Sequence, residues 1–186
     1  MKTNLLPSII LTSGLLVLLC VAYPLVMWGI AKVSPNSGEG FTVESTNGKN
    51  YENIGQTFTS DKYFWSRPSA VEYNAAGSGA SNKAATNEEY LTEVQNRIDD
   101  FMVKNPEVNK QDIPVDLITA SGSGLDPNIS VQAAKVQIAR IAKTRGIAIN
   151  RLEQLVTEQT QQPLLGILGP QVINVVKLNI ALDALK

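Results

Sequence analysis

The sequence predicts an α+β protein with one N-terminal transmembrane helix followed by a single compact domain. Three observations carry that prediction. No charged residue occurs between Lys2 and Lys32, and residues 5–31 are dominated by apolar side chains. Beyond them, apolar residues recur at helical spacing in several separate stretches. Between those stretches lie β-branched runs and loops of Gly, Ser and Asn, with no internal repeat and no second core. The expected division is a short N-terminus at 1–6, a transmembrane helix at 7–31, a linker at 32–54 and a soluble α+β domain at 55–186.

The first element follows from length. About 20 apolar residues, rising about 1.5 Å each, cross a hydrocarbon layer of roughly 30 Å. A cleaved signal peptide would carry a shorter apolar region of about 7 to 15 residues before a small-x-small site. Here apolar residues continue through Met27, Trp28 and Ile30, which favours a retained anchor. Leu19, before Cys20, is too large for a lipoprotein signal. Pro24 removes the N–H that would bond the carbonyl of Cys20, so the helix needs another partner there or bends. Ser13 and Gly14 leave a small patch where a second helix could approach, although such residues are also ordinary in membrane helices. Lys2 and Lys32 flank the span, and the positive-inside rule gives a slight bias towards a cytoplasmic N-terminus. Trp28 then sits near the outer interface.

In the soluble part, residues 33–53 read as an extended linker with a short strand. Residues 55–65 read as strand or ordered loop, and residues 75–85 as a surface loop. Thr86 with Glu89 forms a capping box for a helix whose buried stripe is Leu91, Val94, Ile98 and Phe101, ended by Asn105-Pro106. An apolar run at 113–120 predicts a strand, then a Gly-rich loop, then a helix over 131–145 capped by Ser130. That helix places Ala134, Ile138, Ile141 and Ala142 inward, points Lys135, Lys143 and Arg145 elsewhere, and ends at Gly146. Asn150 with Glu153 suggests a further capped helix carrying Leu152, Leu155 and Val156, closed by Pro163. Residues 164–168 are an apolar loop or short strand. Residues 172–176 have strand composition, but Val175, Leu178, Leu182 and Leu185 repeat at helical spacing, so a helix is expected over most of that segment.

Composition excludes several functions. Lys+Arg of 16 against Asp+Glu of 17 leaves a net charge of −1, which argues against a nucleic-acid binder. Histidine is absent and Cys20 is the sole cysteine, so zinc chemistry has no ligand set. The Asp-Lys-Thr-Gly-Thr phosphorylation motif of P-type pumps is not matched by Asp61-Lys62-Tyr63. Gly48-Lys49-Asn50 lacks the upstream glycine and the hydroxyl of a P-loop, and Gly122-x-Gly124 lacks the third glycine of a dinucleotide fingerprint. Ser121 and Ser123 have no evident base. The chain is read as non-catalytic, with no metal and no confidently bound cofactor.

Two stretches are candidate contact sites. Ser121, Gly122, Ser123, Gly124, Asp126 and Pro127 form either a tight structural turn or a contact surface and anion-binding nest ahead of a helix. Trp65, Arg67, Pro68 and Ser69 form either a buried aromatic with a solvated arginine or a partner contact, since Trp and Arg favour interfaces.

The run Ile118-Thr119-Ala120-Ser121-Gly122-Ser123-Gly124-Leu125-Asp126-Pro127, then Gln132-Ala133-Ala134 and Gln137, closely resembles the C subunit of the Kdp potassium-transporting P-type ATPase. The resemblance runs from end to end. It includes Gly55-Gln56-Thr57-Phe58, Tyr63-Phe64-Trp65-Ser66-Arg67-Pro68-Ser69-Ala70, Ser78-Gly79-Ala80-Ser81-Asn82, Gly166-Ile167-Leu168-Gly169 and Val172-Ile173-Asn174-Val175-Val176-Lys177. Val131 and Lys83 are small departures. The resemblance implies a bacterial plasma-membrane protein with its large domain outside the cytoplasm. The implied partners are a channel-like potassium-translocating subunit, an ATP-hydrolysing P-type subunit, a small single-helix subunit and the lipid bilayer. It also implies a non-catalytic accessory subunit that is needed for assembly and activity and is described as a catalytic chaperone raising ATP affinity of the hydrolytic subunit, so ATP enters through the complex. An extracytoplasmic domain cannot touch cytoplasmic ATP, so such an effect would be coupled through membrane helices. The alternative is a free-standing anchored protein that binds an extracytoplasmic ligand; a small serine hydrolase is a third, weaker option.

Overall fold

The computed structural model describes residues 4–45 and 48–185. Lys2, on which the charge argument for orientation partly rests, lies outside the described residues. The chain divides into two compact units, Met1–Phe41 and Thr42–Lys186.

The first unit is built on α1, Leu5–Val33, a helix long and apolar enough to cross a membrane. It is α-helical over Leu5–Val17 and Tyr23–Val33, with a π turn at Leu18–Ala22 between them. The cause is Pro24: with no N–H to offer, and with its ring against the preceding turn, it cannot continue the ordinary ladder. The helix widens, and the Tyr23 N–H donates to the carbonyl of Leu18, five residues back. At the other end the Lys32 ammonium lies 5.9 Å from the centre of the Trp28 ring.

The second unit opens with an antiparallel hairpin, β1 (Thr42–Ser45) and β2 (Gly48–Tyr51), pairing Thr42 with Tyr51 and Ser45 with Gly48. Residues 52–86 form no helix or strand but are ordered by hydrogen bonds. Then come α2 (Glu88–Lys104), β3 (Asn128–Ser130), α3 (Val131–Lys135), α4 (Ile138–Arg145), α5 (Ile149–Gln159), β4 (Thr160–Gln161), β5 (Val172–Asn174) and α6 (Val175–Ala184). β5 is the middle strand of a small antiparallel sheet of order β3–β5–β4, with Ile173 facing both Ile129 and Thr160. The core gathers where α3 to α6 cover this sheet. Ala133, Ile141, Leu152, Ile173, Leu178 and Leu182 are completely buried there.

Several expectations need correction. The cap of α2 is Asn87, whose side chain accepts the Tyr90 N–H at 2.9 Å, and not Thr86. On its stripe Phe101 is buried and Val94 and Ile98 are half-buried, but Leu91 is 51% exposed, because the helix packs through its C-terminal half. Residues 113–120 are not a strand. Pro114 starts a single 3-10 turn, Val115–Leu117, and the strand comes after the Gly-rich loop instead. The helix expected over 131–145 breaks at Val136-Gln137 into α3 and α4. Ser130 caps α3 through the Ala133 N–H (3.1 Å), and Gly146 ends α4 in the left-handed region at φ 67°. α5 begins one residue before Asn150, with Ala148 at its cap and no side-chain capping bond. At the C-terminus strand and helix both occur, in succession: β5, then α6 capped by Asn174, which accepts the Lys177 N–H at 3.1 Å.

The irregular segment before α2 is held by one buried cation. Arg140 of α4 is 7% exposed. Its Nε donates to Asn105 Oδ1 (3.1 Å), and its Nη2 donates to the Tyr63 carbonyl (3.0 Å) and to Gln137 Oε1 (2.7 Å). Nη1 donates to the carbonyl of Asp61, and the guanidinium lies 4.3 Å from the centre of the Trp65 ring. Gln137, completely buried, also accepts the Trp65 N–H (2.8 Å). Asn179 of α6 closes the other side, accepting the Phe64 N–H and donating to the Phe64 carbonyl, both at 2.9 Å. A backbone stretch without secondary structure thus finds partners inside the core. Burial lowers the Arg140 pKa to about 10, against the smaller raising effect of Asp61. Arg140→Ala, which orphans these acceptors, is expected to cost about 2–4 kcal/mol of stability by denaturant unfolding. Arg140→Lys keeps the charge but not the planar fork, and is expected to recover only part of that loss.

Candidate functional site

The two candidate stretches, far apart in sequence, meet in space. Ser69 is the hub. Its hydroxyl donates to the Gly124 carbonyl (2.6 Å) and accepts the N–H groups of Val71 (3.2 Å) and Tyr73 (3.0 Å). The Ser121 N–H donates to the Pro68 carbonyl (3.2 Å). Arg67 and Asp126 form an ion pair at 2.9 Å, each about a quarter to a third exposed. The Gly79 N–H and the Ser78 hydroxyl both reach the Ser123 carbonyl, at 2.9 and 3.1 Å. From the other flank the Gly55 N–H donates to the Leu125 carbonyl at 2.7 Å, and the Val175 N–H donates to the Pro127 carbonyl at 2.9 Å. Ser78-Gly79, Ser66 to Tyr73 and Gly55 are therefore one knot around the Gly-rich loop.

Local chemistry explains the residue types. Gly124 sits at φ 68°, and a Cβ there would come within 2.5 Å of Val71 Cγ2 and 2.9 Å of the Gly79 carbonyl oxygen. Gly55 would meet the Asp126 carbonyl at 2.7 Å, so it has room for no side chain. Asp126 accepts the Asn128 N–H through Oδ1 (3.0 Å), an Asx turn that starts β3. Ser123 Oγ accepts the Leu125 N–H at 3.1 Å, and the Gly124 N–H is taken by the Ser121 carbonyl at 3.3 Å. These loop donors are engaged within the knot, and β3 stands between the loop and α3. Ser121 is buried and Gly122 is exposed.

Trp65 is half-buried between Arg140 on its face and Phe101 edge-on, 6.1 Å between ring centres. Its Nε1 donates to the Ser60 carbonyl at 3.1 Å. Beside it opens a cleft of about 340 Å³, lined by Phe58, Trp65, Pro68, Ser69, Tyr73 and Arg97 among others. Arg67 Nε is buried with no hydrogen-bond partner, while its Nη1 holds Asp126. Burial raises the Tyr73 pKa, against the smaller lowering effects of Ser66 and Arg97, and its phenol donates to the Arg67 carbonyl. Among the described residues no group of His, Cys, Asp or Glu is arranged to hold a metal ion.

A second cluster escaped the sequence reading. Arg145, expected to point away from the buried face of its helix, lies with its guanidinium 4.9 Å from the centre of the Tyr63 ring and donates to Asp183 Oδ1 at 2.5 Å. Tyr63 donates to Asp183 Oδ2 at 3.0 Å. Burial comes first in raising the Tyr63 pKa, then Asp183. No local pattern in the sequence signals this cluster, because Tyr63, Arg145 and Asp183 lie far apart in it. In α1, Gly14 has open space around it, Ser13 and Trp28 are exposed, and Pro24 lies just past the π turn.

Two outcomes follow from this geometry. Gly124→Ala forces a side chain into the left-handed region and against Val71, and is expected to cost about 2 kcal/mol or more in thermal unfolding. For Tyr73 the folded pKa is raised, so the folded state holds the proton longer than the unfolded one. Its contribution is fully present below about pH 10, the ordinary tyrosine value, and is lost as pH rises through the raised value. Stability measured by urea unfolding should therefore fall above pH 10 less steeply in Tyr73→Phe than in the parent.

The family model described as the K+-transporting ATPase c chain matches residues 5–184. A potassium-transporting ATPase KdpC subunit of Flavobacterium johnsoniae is 50% identical over 185 residues, covering 98% of this chain and 99% of the relative. The KdpC subunit of Bacteroides fragilis is 47% identical over 191 residues, covering 100% and 99%. That of Bacillus cereus is 43% identical over 189 residues, covering 99% and 97%.

Proposed function

The chain belongs to the KdpC family, the c chain of K+-transporting ATPases, and from that membership we propose that it is a non-catalytic accessory subunit of the potassium pump. The observation that carries this reading is the extent of the match, which takes in the apolar helix as well as the folded unit. The polar groups of the two candidate stretches support it: apart from Arg67 Nε, the bonds described for them run to one another and to backbone rather than to a common reacting atom. On this reading the helix spans the bacterial plasma membrane and the α+β domain lies outside the cytoplasm. The helix packs beside the channel-like subunit, and the P-type subunit and the small single-helix subunit complete the assembly. The domain then acts on ATP affinity without meeting ATP, by favouring one conformation of the pump through the membrane helices. The cleft beside Trp65 is the surface offered to the partner, with an aromatic ring and an arginine at its edge.

Purification of the pump with and without this chain tests the reading. Potassium-stimulated ATP hydrolysis is expected to fall at least about tenfold at limiting ATP without it, a coupling on the order of 1.4 kcal/mol, and to recover at saturating ATP. Full activity and intact assembly without the chain would overturn the proposal, and recovery of the chain alone from mild detergents would favour a free-standing anchored binder.

A further inference from the structure

The connection from β4 to β5 is the most apolar exposed surface of the folded unit. Leu164, Leu165, Ile167 and Leu168 are 69%, 82%, 82% and 56% exposed. They stand on a closed turn. The Leu164 and Leu168 backbones exchange hydrogen bonds at 3.1 and 3.0 Å, and the Gly166 N–H donates to the Pro163 carbonyl at 2.8 Å. Gln171 donates to Gln162 at 2.9 Å across the base. Leu165 and Gly166 both occupy the left-handed region, at φ 56° and 78°, which turns the chain while leaving the Leu165 side chain at the tip. No charged residue occurs between Glu158 and Lys177.

We propose that this loop is a second membrane contact, its tip seated among the acyl chains of the leaflet that faces the domain. Three features select lipid as the occupant. The N–H groups of Leu164, Gly166, Ile167 and Leu168 are bonded within the turn, which lowers the cost of entering a medium without water. The segment carries no charge, so nothing opposes its burial in hydrocarbon. Its side chains are Leu and Ile, which partition into bilayers favourably, whereas protein interfaces concentrate their energy in Trp, Tyr and Arg. Covalent reach permits the contact: residues 34–41 join α1 to the folded unit, a tether of at most about 29 Å fully extended. The proposal needs only that α1 is inserted in a bilayer, and does not depend on the pump.

The test uses the full chain in vesicles of phosphatidylcholine and phosphatidylglycerol. In a Cys20→Ser background, Ile167→Cys carries a polarity-sensitive fluorophore, and Val115→Cys, 67% exposed on the same unit, is the comparison. Both positions are outside the core, so folding is checked simply by circular dichroism. The label at 167 is expected to emit further to the blue, to be quenched by lipids bearing a nitroxide high on the acyl chain, and to lose iodide quenching at least threefold relative to 115. Equal iodide quenching at both positions would overturn the proposal. Shielding at 167 that arises only when the other pump subunits are added, without nitroxide quenching, would also overturn it and assign the loop to a protein partner.

Discussion

The Arg140 guanidinium is the interaction on which the folded unit depends. Thirty-odd residues between the hairpin and α2 form no helix or strand, and their backbone groups need partners that secondary structure does not supply. Arg140, Gln137 and Asn179 supply them at Asp61, Tyr63, Phe64 and Trp65. Burying a cation is costly unless its donors are satisfied, and here each of its nitrogens has an acceptor, with an aromatic face against the plane. Because Arg140 and Gln137 lie on or beside α4, the position of the aromatic segment is fixed by the helical core and not by its own sequence.

That fixed segment in turn sets the knot. Once Trp65 is placed, Ser66 to Ser69 run directly past the Gly-rich loop, and Ser69 ties it down. The knot thus transmits the geometry of the helical core to the cleft beside Trp65. A change in the helices would be felt there by a short route: from Gln137 and Arg140 to Trp65, along the backbone to Ser69, and through its hydroxyl to Gly124.

Much of this was legible in the sequence, and the failures have physical causes. The stripes of α5 and the burial of Phe101, Ile141 and Leu152 follow from apolar periodicity, which burial enforces. The long apolar helix follows from length and the absence of charge. Ser130 and Gly146 were legible because a cap is a local event. The break at Val136-Gln137 was not, since nothing in a favourable helical pattern marks a residue whose side chain is wanted elsewhere. The partners of Arg145 were not legible for a related reason: its flat guanidinium suits Tyr63 and Asp183, which lie far away in sequence. The meeting of Ser69 with Gly124 is a fact of topology, and local pattern carries no trace of it.

The π turn ahead of Pro24 has a consequence for how α1 presents itself. A π turn accommodates one extra residue in the coil. Everything after it is rotated by about 100° relative to an unbroken α-helix. The half carrying Ser13 and Gly14 and the half carrying Trp28 and Lys32 are therefore out of phase, and one helical wheel drawn through both would assign one of them to the wrong side. Two neighbouring helices could each be met by a different half of a single span, without a bend in either of them.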